Sequence, residues 1–318
     1  MPMRKLWIAA LLVVPSIVFA QQPPDLSKVQ IKVSKVSGNI YMLQGAGGNI
    51  AASLGDDGVV IVDTEYSPLA ERIDAALKAV GVTDKPVRFV IDTHYHSDHS
   101  DGNAAWAARG ATIISNENLR TRLEDGSSIG NGPGGAIHIQ QPAQPKAALP
   151  TITFTDALVL HFNDEEIRIM HFPAAHTDGD GVVYFTRNHV VHMGDEFVRY
   201  GFPFVDVNAG GSVQGMIAAN EKVAAILPAD TKVIPGHGEL ATLDDVREYT
   251  KMMKDTLAAV EKAMAAHESL AQMKSEKILA SWQKYSGAFV STDAWIETIF
   301  HSLNVPAGAA AKGNSGIR

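Results

Sequence analysis

The sequence contains no cysteine. That excludes disulfides, keeps thiolate out of any metal site and removes cysteine from the possible nucleophiles. Positive charge is also scarce, with 27 lysines and arginines against 35 acids and a formal net charge of −8. A nucleic-acid partner requires a basic stripe, which this balance does not provide. No segment repeats at a fixed period. The 318 residues suffice for one large domain with a good core and a small appendage.

The first twenty residues stand apart. Arg4 and Lys5 give a positive start, Leu6 to Phe19 is an apolar run, and Val18-Phe19-Ala20 offers a small-residue cleavage site before Gln21. The run is too short to span a bilayer comfortably. Residues 1–20 therefore read as a secretory signal, with an uncleaved anchor as the alternative. The mature chain is expected in the periplasm or secreted, with no membrane partner after cleavage. Losing two of the 27 basic residues leaves 25 against 35 acids, a charge of −10 that two divalent ions would partly offset.

The rest of the chain is organised around Asp92-Thr93-His94-Tyr95-His96-Ser97-Asp98-His99. The preceding Val87 to Ile91 is a short apolar, β-branched and aromatic run that reads as a buried strand. Ser100 to Asn103 supply helix-starting side chains. Three histidines and two aspartates thus leave the end of a strand on one loop, and imidazole with carboxylate suits a first-row divalent ion, zinc above all. Iron and manganese accept the same donors.

Upstream, residues 29–63 read as a β-meander whose last hairpin turns at Gly55-Asp56-Asp57-Gly58. Ser67-Pro68 starts a helix that Gly81 closes. Downstream, residues 122–150 hold five glycines and four prolines with little apolar periodicity. This composition predicts an ordered surface loop or a mobile flap, beside the cleft. Hairpins follow over 158–171 and 182–193, then a helix over 212–227, a strand over 232–234, and helices from Leu243 to about Leu303. Ala307 to Arg318 reads as a frayed tail. Strand-rich and helical segments recur in two halves, which suits an α+β sandwich with helices on both outer faces.

Three later motifs repeat the first one's form, an apolar strand ending in a ligand-type residue among glycines. They are Pro173-Ala174-Ala175-His176-Thr177-Asp178-Gly179, Gly194-Asp195 and Pro235-Gly236-His237-Gly238. Together with His94-x-His96-x-Asp98-His99, and in this order, they resemble the metallo-β-lactamase superfamily over residues 30–240. The resemblance implies a four-layer αββα sandwich over 21–242, followed by a helical extension over 243–318 packed on the same domain. It also implies two zinc ions: one held by His94, His96 and His176, the other by Asp98, His99 and His237, with Asp195 bridging. Of the other seven histidines, His171 and His192 lie close enough in sequence to ligands to support them.

Paired dications lower the pKa of a shared water towards neutrality, so the expected chemistry is hydrolysis with Asp98 as the catalytic carboxylate that orients the nucleophile. The β-lactamases of the family usually carry cysteine or serine at the position of Asp195. The bridging aspartate looks more like the glyoxalase II and lactonase branches, whereas export favours an antibiotic substrate. The expectation is a cyclic or activated carbonyl compound, a β-lactam first, with lactones and thioesters as alternatives and a non-catalytic zinc-binding protein as the reading from another class. Tyr95, between two ligands, and Arg199, in the aromatic segment after Asp195, are the candidate substrate contacts.

Export makes a direct prediction. Intact-mass analysis of protein recovered from the periplasm should give a chain beginning at Gln21; soluble mature protein beginning at Met1 would contradict it.

Overall fold

The computed structural model describes residues 25–304, so the expected signal over 1–20 and the expected frayed tail lie outside the described residues. In chain order the elements are β1 (Lys32–Ser37), β2 (Ile40–Gln44), β3 (Ile50–Gly55), β4 (Gly58–Val62), α1 (Ala70–Ala79), β5 (Val87–Ile91), α2 (Ser97–Ser100), α3 (Asn103–Ala108), β6 (Thr112–Asn116) and α4 (Glu117–Asp125). A small hairpin of β7 (Ser127–Gly130) and β8 (His138–Gln141) comes next, then β9 (Ile152–Phe154), β10 (Ala157–Phe162), β11 (Glu165–His171), β12 (Gly181–Phe185) and β13 (Val190–His192). The chain ends with α5 (Val213–Ile226), β14 (Lys232–Ile234), β15 (Ala241–Thr242), α6 (Leu243–Ala265), α7 (Leu270–Ser275) and α8 (Thr292–Asn304).

Two mixed sheets form the centre, one ordered β1-β2-β3-β4-β5-β6-β9 and the other β10-β11-β12-β13-β14-β15. Side-chain alternation along the strands explains the layering. In β4, Val60 and Val62 point into the space between the sheets, where they meet Ile167, Ile169, Val183 and Phe185 of the other sheet. Val59 and Ile61 point the opposite way, onto Ile73 and Leu77 of α1 and Trp106 of α3. Every residue of β4 is buried because both of its faces are covered, which is why the strand reads as an unbroken apolar run. The second sheet repeats the arrangement, with Val182, Tyr184, Val191 and Val233 facing α5, α6 and α8. The result is the expected four-layer αββα sandwich.

The C-terminal helices belong to this outer layer. Thr242 of β15 caps α6 in a reciprocal capping box with Asp245, so sheet and helix are joined without a linker. Trp295 of α8 is fully buried, stacks on Phe202 and donates its indole N–H to Thr256 Oγ1 of α6 at 3.0 Å. No helix among the described residues is long and apolar enough to cross a membrane.

Residues 122–150, expected as an ordered surface loop or a mobile flap, carry local structure of their own. They hold the last turn of α4, the β7–β8 hairpin and a short 3-10 turn, and polar contacts pin them to the rest of the fold. Gly130 donates its N–H to Asp206 Oδ1 at 3.0 Å, Gln141 Nε2 donates to the Tyr95 carbonyl at 2.7 Å, and Asn131 Nδ2 to Glu297 Oε2 at 3.3 Å. Leu123, Ile129 and Leu149 add buried apolar anchors. The polar part of this anchoring leaves no pattern in hydropathy, so composition alone does not locate it.

β4, β5 and β6 run parallel, and so do β13 and β14, so the C-terminal ends of each group open at one edge. Those edges are stitched together there: Asn49 donates its N–H to the Gly236 carbonyl, and Gly181 to the Thr93 carbonyl, both at 2.7 Å. All four ligand-type motifs leave strands near this seam.

Candidate metal centre

Four of the imidazoles at the seam, those of His94, His96, His99 and His176, have one ring nitrogen tied to the fold and the other turned inward. Thr93 Oγ1 donates to Asp63 Oδ2 at 2.8 Å and therefore accepts from His94 Nδ1–H at 3.1 Å. His94 Nε2 is left buried with no partner in the protein. His96 Nε2–H donates to Asp206 Oδ2 at 3.1 Å, leaving Nδ1 free. His176 Nδ1–H donates to the Phe204 carbonyl at 2.9 Å, and His99 Nδ1–H to Asp63 Oδ2 at 2.7 Å, leaving both Nε2 atoms free. Holding the outer nitrogen as a donor fixes the tautomer that a metal ligand needs.

The free atoms converge in two adjacent groups. His94, His96 and His176 form one, with His96 Nδ1 and His176 Nε2 3.1 Å apart. Asp98, His99 and His237 form the other: His99 Nε2 and Asp98 Oδ2 each lie 3.2 Å from His237 Nε2. Donors at zinc-ligand length in a tetrahedron stand about 3.3 Å apart, so these separations suit an ion in each group. Asp195 lies between them, with Oδ1 3.3 Å from His99 Nε2 and Oδ2 3.9 Å from His176 Nε2. Its Oδ1 is buried and makes no hydrogen bond. Unpartnered buried nitrogen and oxygen atoms aimed at one another fit a cation and little else.

Charge is distributed unequally between the groups. Burial holds the His94 pKa well below the ordinary imidazole value, with His99, His176 and His96 adding to the effect, and burial with His96 takes His176 down to about 4. His94 and His176 are therefore present as neutral imidazoles. In the second, burial opposes ionisation of Asp98, but His99 and His237 outweigh it and bring the carboxyl to about 2. Asp195 is held well below the usual range against burial by His237 and His99. His99 is raised despite burial by Asp98, Asp195 and Asp63, so an ion entering here displaces a proton.

Glycines let the loops close on this cluster. A Cβ on Gly236 would collide with Asp195 Oδ1, and one on Gly48 with the His99 ring. The Gly45 to Gly48 loop is itself held by Glu65, whose Oε2 accepts the N–H groups of Ala46 at 2.8 Å and Gly47 at 3.0 Å.

The seven ligand-type residues expected from the sequence are thus brought together, and two supporting histidines take definite places. His192 donates from Nε2 to the Asn49 carbonyl at 2.8 Å and accepts the Gly194 N–H at Nδ1 at 3.1 Å, fixing the turn that carries Asp195. His171 Nδ1–H donates to the Asp180 carbonyl at 2.7 Å, in the loop of His176. Of the two expected substrate contacts, Tyr95 is turned away from the cleft. Tyr95 is fully buried, and its hydroxyl donates to Asp206 Oδ2, because the loop turns alternate side chains to opposite sides and only the histidines face the cleft. Arg199 pairs with Asp245 Oδ1 of α6 at 3.3 Å, with both side chains still partly exposed. Sequence reasoning missed Asp63, Asp206 and Glu65, whose partners are distant in the chain. The one local signal was a polar residue ending an apolar strand, which Asp63 shares with many turn residues.

The profile described as the metallo-β-lactamase superfamily matches residues 35–237, more than half of the chain and all seven ligand-type positions. The chain belongs to the metallo-β-lactamase superfamily. Membership supports a metal-dependent hydrolase at a coarse level. Among curated proteins, it is 22% identical over 280 residues to a linear primary-alkylsulfatase from Pseudomonas sp., an alignment covering 74% of this chain. The chain spans only about half of that relative, 52% of its length. Among solved structures, it is similar to a metallo-β-lactamase from Pontibacter korlensis, with TM-score 0.58 and 16% identity over 71% of this chain and 99% of that one. DIM-1 metallo-β-lactamase gives TM-score 0.58 and 14% identity over 72% and 100%. At such identities the likeness is one of fold.

Asp63 generates a prediction specific to this superfamily member. Asp63→Asn should weaken zinc binding by roughly 10- to 100-fold, read by competition with a chromophoric chelator, because His99 and the Thr93–His94 pair lose their acceptor. Unchanged affinity would show that the tautomers are fixed by other means.

Proposed function

We propose that this protein is an exported dinuclear zinc hydrolase that opens a cyclic or activated carbonyl substrate. The observation that carries the reading is the placement of Asp195, with one carboxylate oxygen turned to each ligand group. His94, His96 and His176 would hold one ion, Asp98, His99 and His237 the other, and Asp195 both. Two such ions, when bound, supply Lewis acidity and a water acidified towards neutrality. Seven ligands shared between two ions leave coordination positions open, which favours catalysis over a closed structural or storage site.

The protein's own residues do the rest. Asp98 is only partly covered and reaches the cleft with an ionised carboxylate, so it can accept a hydrogen bond from the attacking water and orient it. Asp206 and the Phe204 carbonyl keep His96 and His176 from rotating as charge builds.

β-Lactams, lactones and thioesters remain the carbonyl compounds to test. Expected export supports the first of these; Asp195 supports the others. The alkylsulfatase relative favours a second reading, in which the same centre cleaves a sulfate ester.

The test is Asp195→Asn, which keeps the shape but removes the charge offsetting two dications. Metal analysis should find about one ion per folded chain, and hydrolysis across a panel of these four substrate classes should fall by roughly two orders of magnitude or more. Two tightly bound ions with full activity would refute the assignment.

A further inference from the structure

Beyond the ligands, three aromatic rings stand along the metal centre. Phe204 lies against the first group, its ring centroid 5.9 Å from those of both His96 and His176. Tyr200 lies against the second, 5.7 Å from the His237 ring. Phe289 spans the two, 5.5 Å from Phe204 and 6.3 Å from Tyr200. Phe204 is nearly inaccessible at 4%, whereas Phe289 is 51% exposed, an unusual position for a phenylalanine that is otherwise fixed in place.

The Phe289 backbone is held from both sides. Gly287 donates its N–H to the Val290 carbonyl at 3.0 Å, and Val290 itself is 1% exposed, so the turn is anchored next to its exposed ring. Phe202 donates its N–H to the Tyr285 carbonyl at 2.7 Å, tying this turn to the segment that carries Tyr200 and Phe204. Phe289 is the one aromatic side chain among the seven exposed large apolar residues described, and it packs on rings that themselves pack on ligand histidines. It also lies beyond residues 35–237, so the superfamily profile does not account for it.

We propose that Tyr200, Phe204 and Phe289 form a wall that receives an apolar group of the substrate beside the scissile bond, with Phe289 as the determinant of its size. The proposal rests on the hydrolase reading for the word substrate, but the surface itself is defined by the rings. An aliphatic or aryl substituent laid across Phe289 covers its exposed face while the electrophilic end remains over the ligand groups. The substrate class is therefore a hydrolysable compound with a hydrophobic tail or ring, and small polar compounds are disfavoured.

Binding without turnover separates this proposal from the hydrolase assignment. Zinc-loaded protein is titrated calorimetrically with straight-chain carboxylates from acetate to octanoate, which stand in for a polar head with a growing apolar tail. Affinity should rise about two- to fourfold per methylene over the first several carbons. Phe289→Ala should weaken octanoate by about fivefold or more and acetate by less than twofold, flattening the series, and Phe289→Leu should restore part of the slope. Val159→Ala, at an exposed apolar residue on the edge strand β10, should leave the series as it was. A flat series in the unmodified protein, or an equal slope in Phe289→Ala, would overturn the proposal. Neither result depends on whether any compound is hydrolysed, so failure of the hydrolase reading would appear separately, as no turnover on the substrate panel.

Discussion

The carboxyl group of Asp63 sits at the end of β4 with no exposure to solvent, in a left-handed backbone conformation (φ 67°) that few side chains other than Asp and Asn adopt readily. It accepts three hydrogen bonds, from the Thr93 N–H at 2.7 Å, the Thr93 hydroxyl at 2.8 Å and His99 Nδ1–H at 2.7 Å. These contacts join two parallel strands at their C-terminal ends and set the start of the histidine loop. They also decide which nitrogen His99 offers and, through Thr93, which one His94 offers. Without that acceptor, several imidazoles packed in a dry space would be free to turn or to exchange tautomers, and the inward-facing donor set would not be unique.

The same logic extends across the sandwich. Asp206 serves the first ligand group as Asp63 serves the second: it accepts from His96 Nε2–H at one oxygen and from the Gly130 and Ala209 N–H groups at the other. The β7–β8 hairpin is thereby coupled to the metal centre through a single side chain. Both parallel strand sets discharge their loops at one seam, so residues more than a hundred positions apart, such as His96 and Asp206, meet there by sheet topology. Function then depends on rigid strands positioning loops, with the loops in turn locked by buried carboxylates and carbonyls.

Much of this was legible in the sequence. The Val59 to Val62 run announced a strand of the meander, and the glycine-rich ligand motifs announced loops at strand ends. The seven ligand-type residues could be named because each lies within a short motif of recognisable form. What could not be read was anything set by distance in the chain. Nothing near Asp63 or Asp206 marks either as a partner of a histidine. Tyr95 was misjudged because adjacency in sequence says nothing about which side of a tight loop a side chain takes. The anchoring of residues 122–150 was out of reach because anchors such as Asn131 and Gln141 are polar and aperiodic. Phe289 lay in a segment with no motif at all.

Anomalous diffraction at the zinc edge from zinc-loaded crystals tests the central claim most directly, that buried acceptors preset two adjacent ion sites. The account predicts two peaks: one bounded by His94 Nε2, His96 Nδ1 and His176 Nε2, the other by Asp98, His99 Nε2 and His237, with Asp195 touching both. A single peak, or an ion held through His96 Nε2 or His99 Nδ1 in place of the free nitrogens, would contradict it.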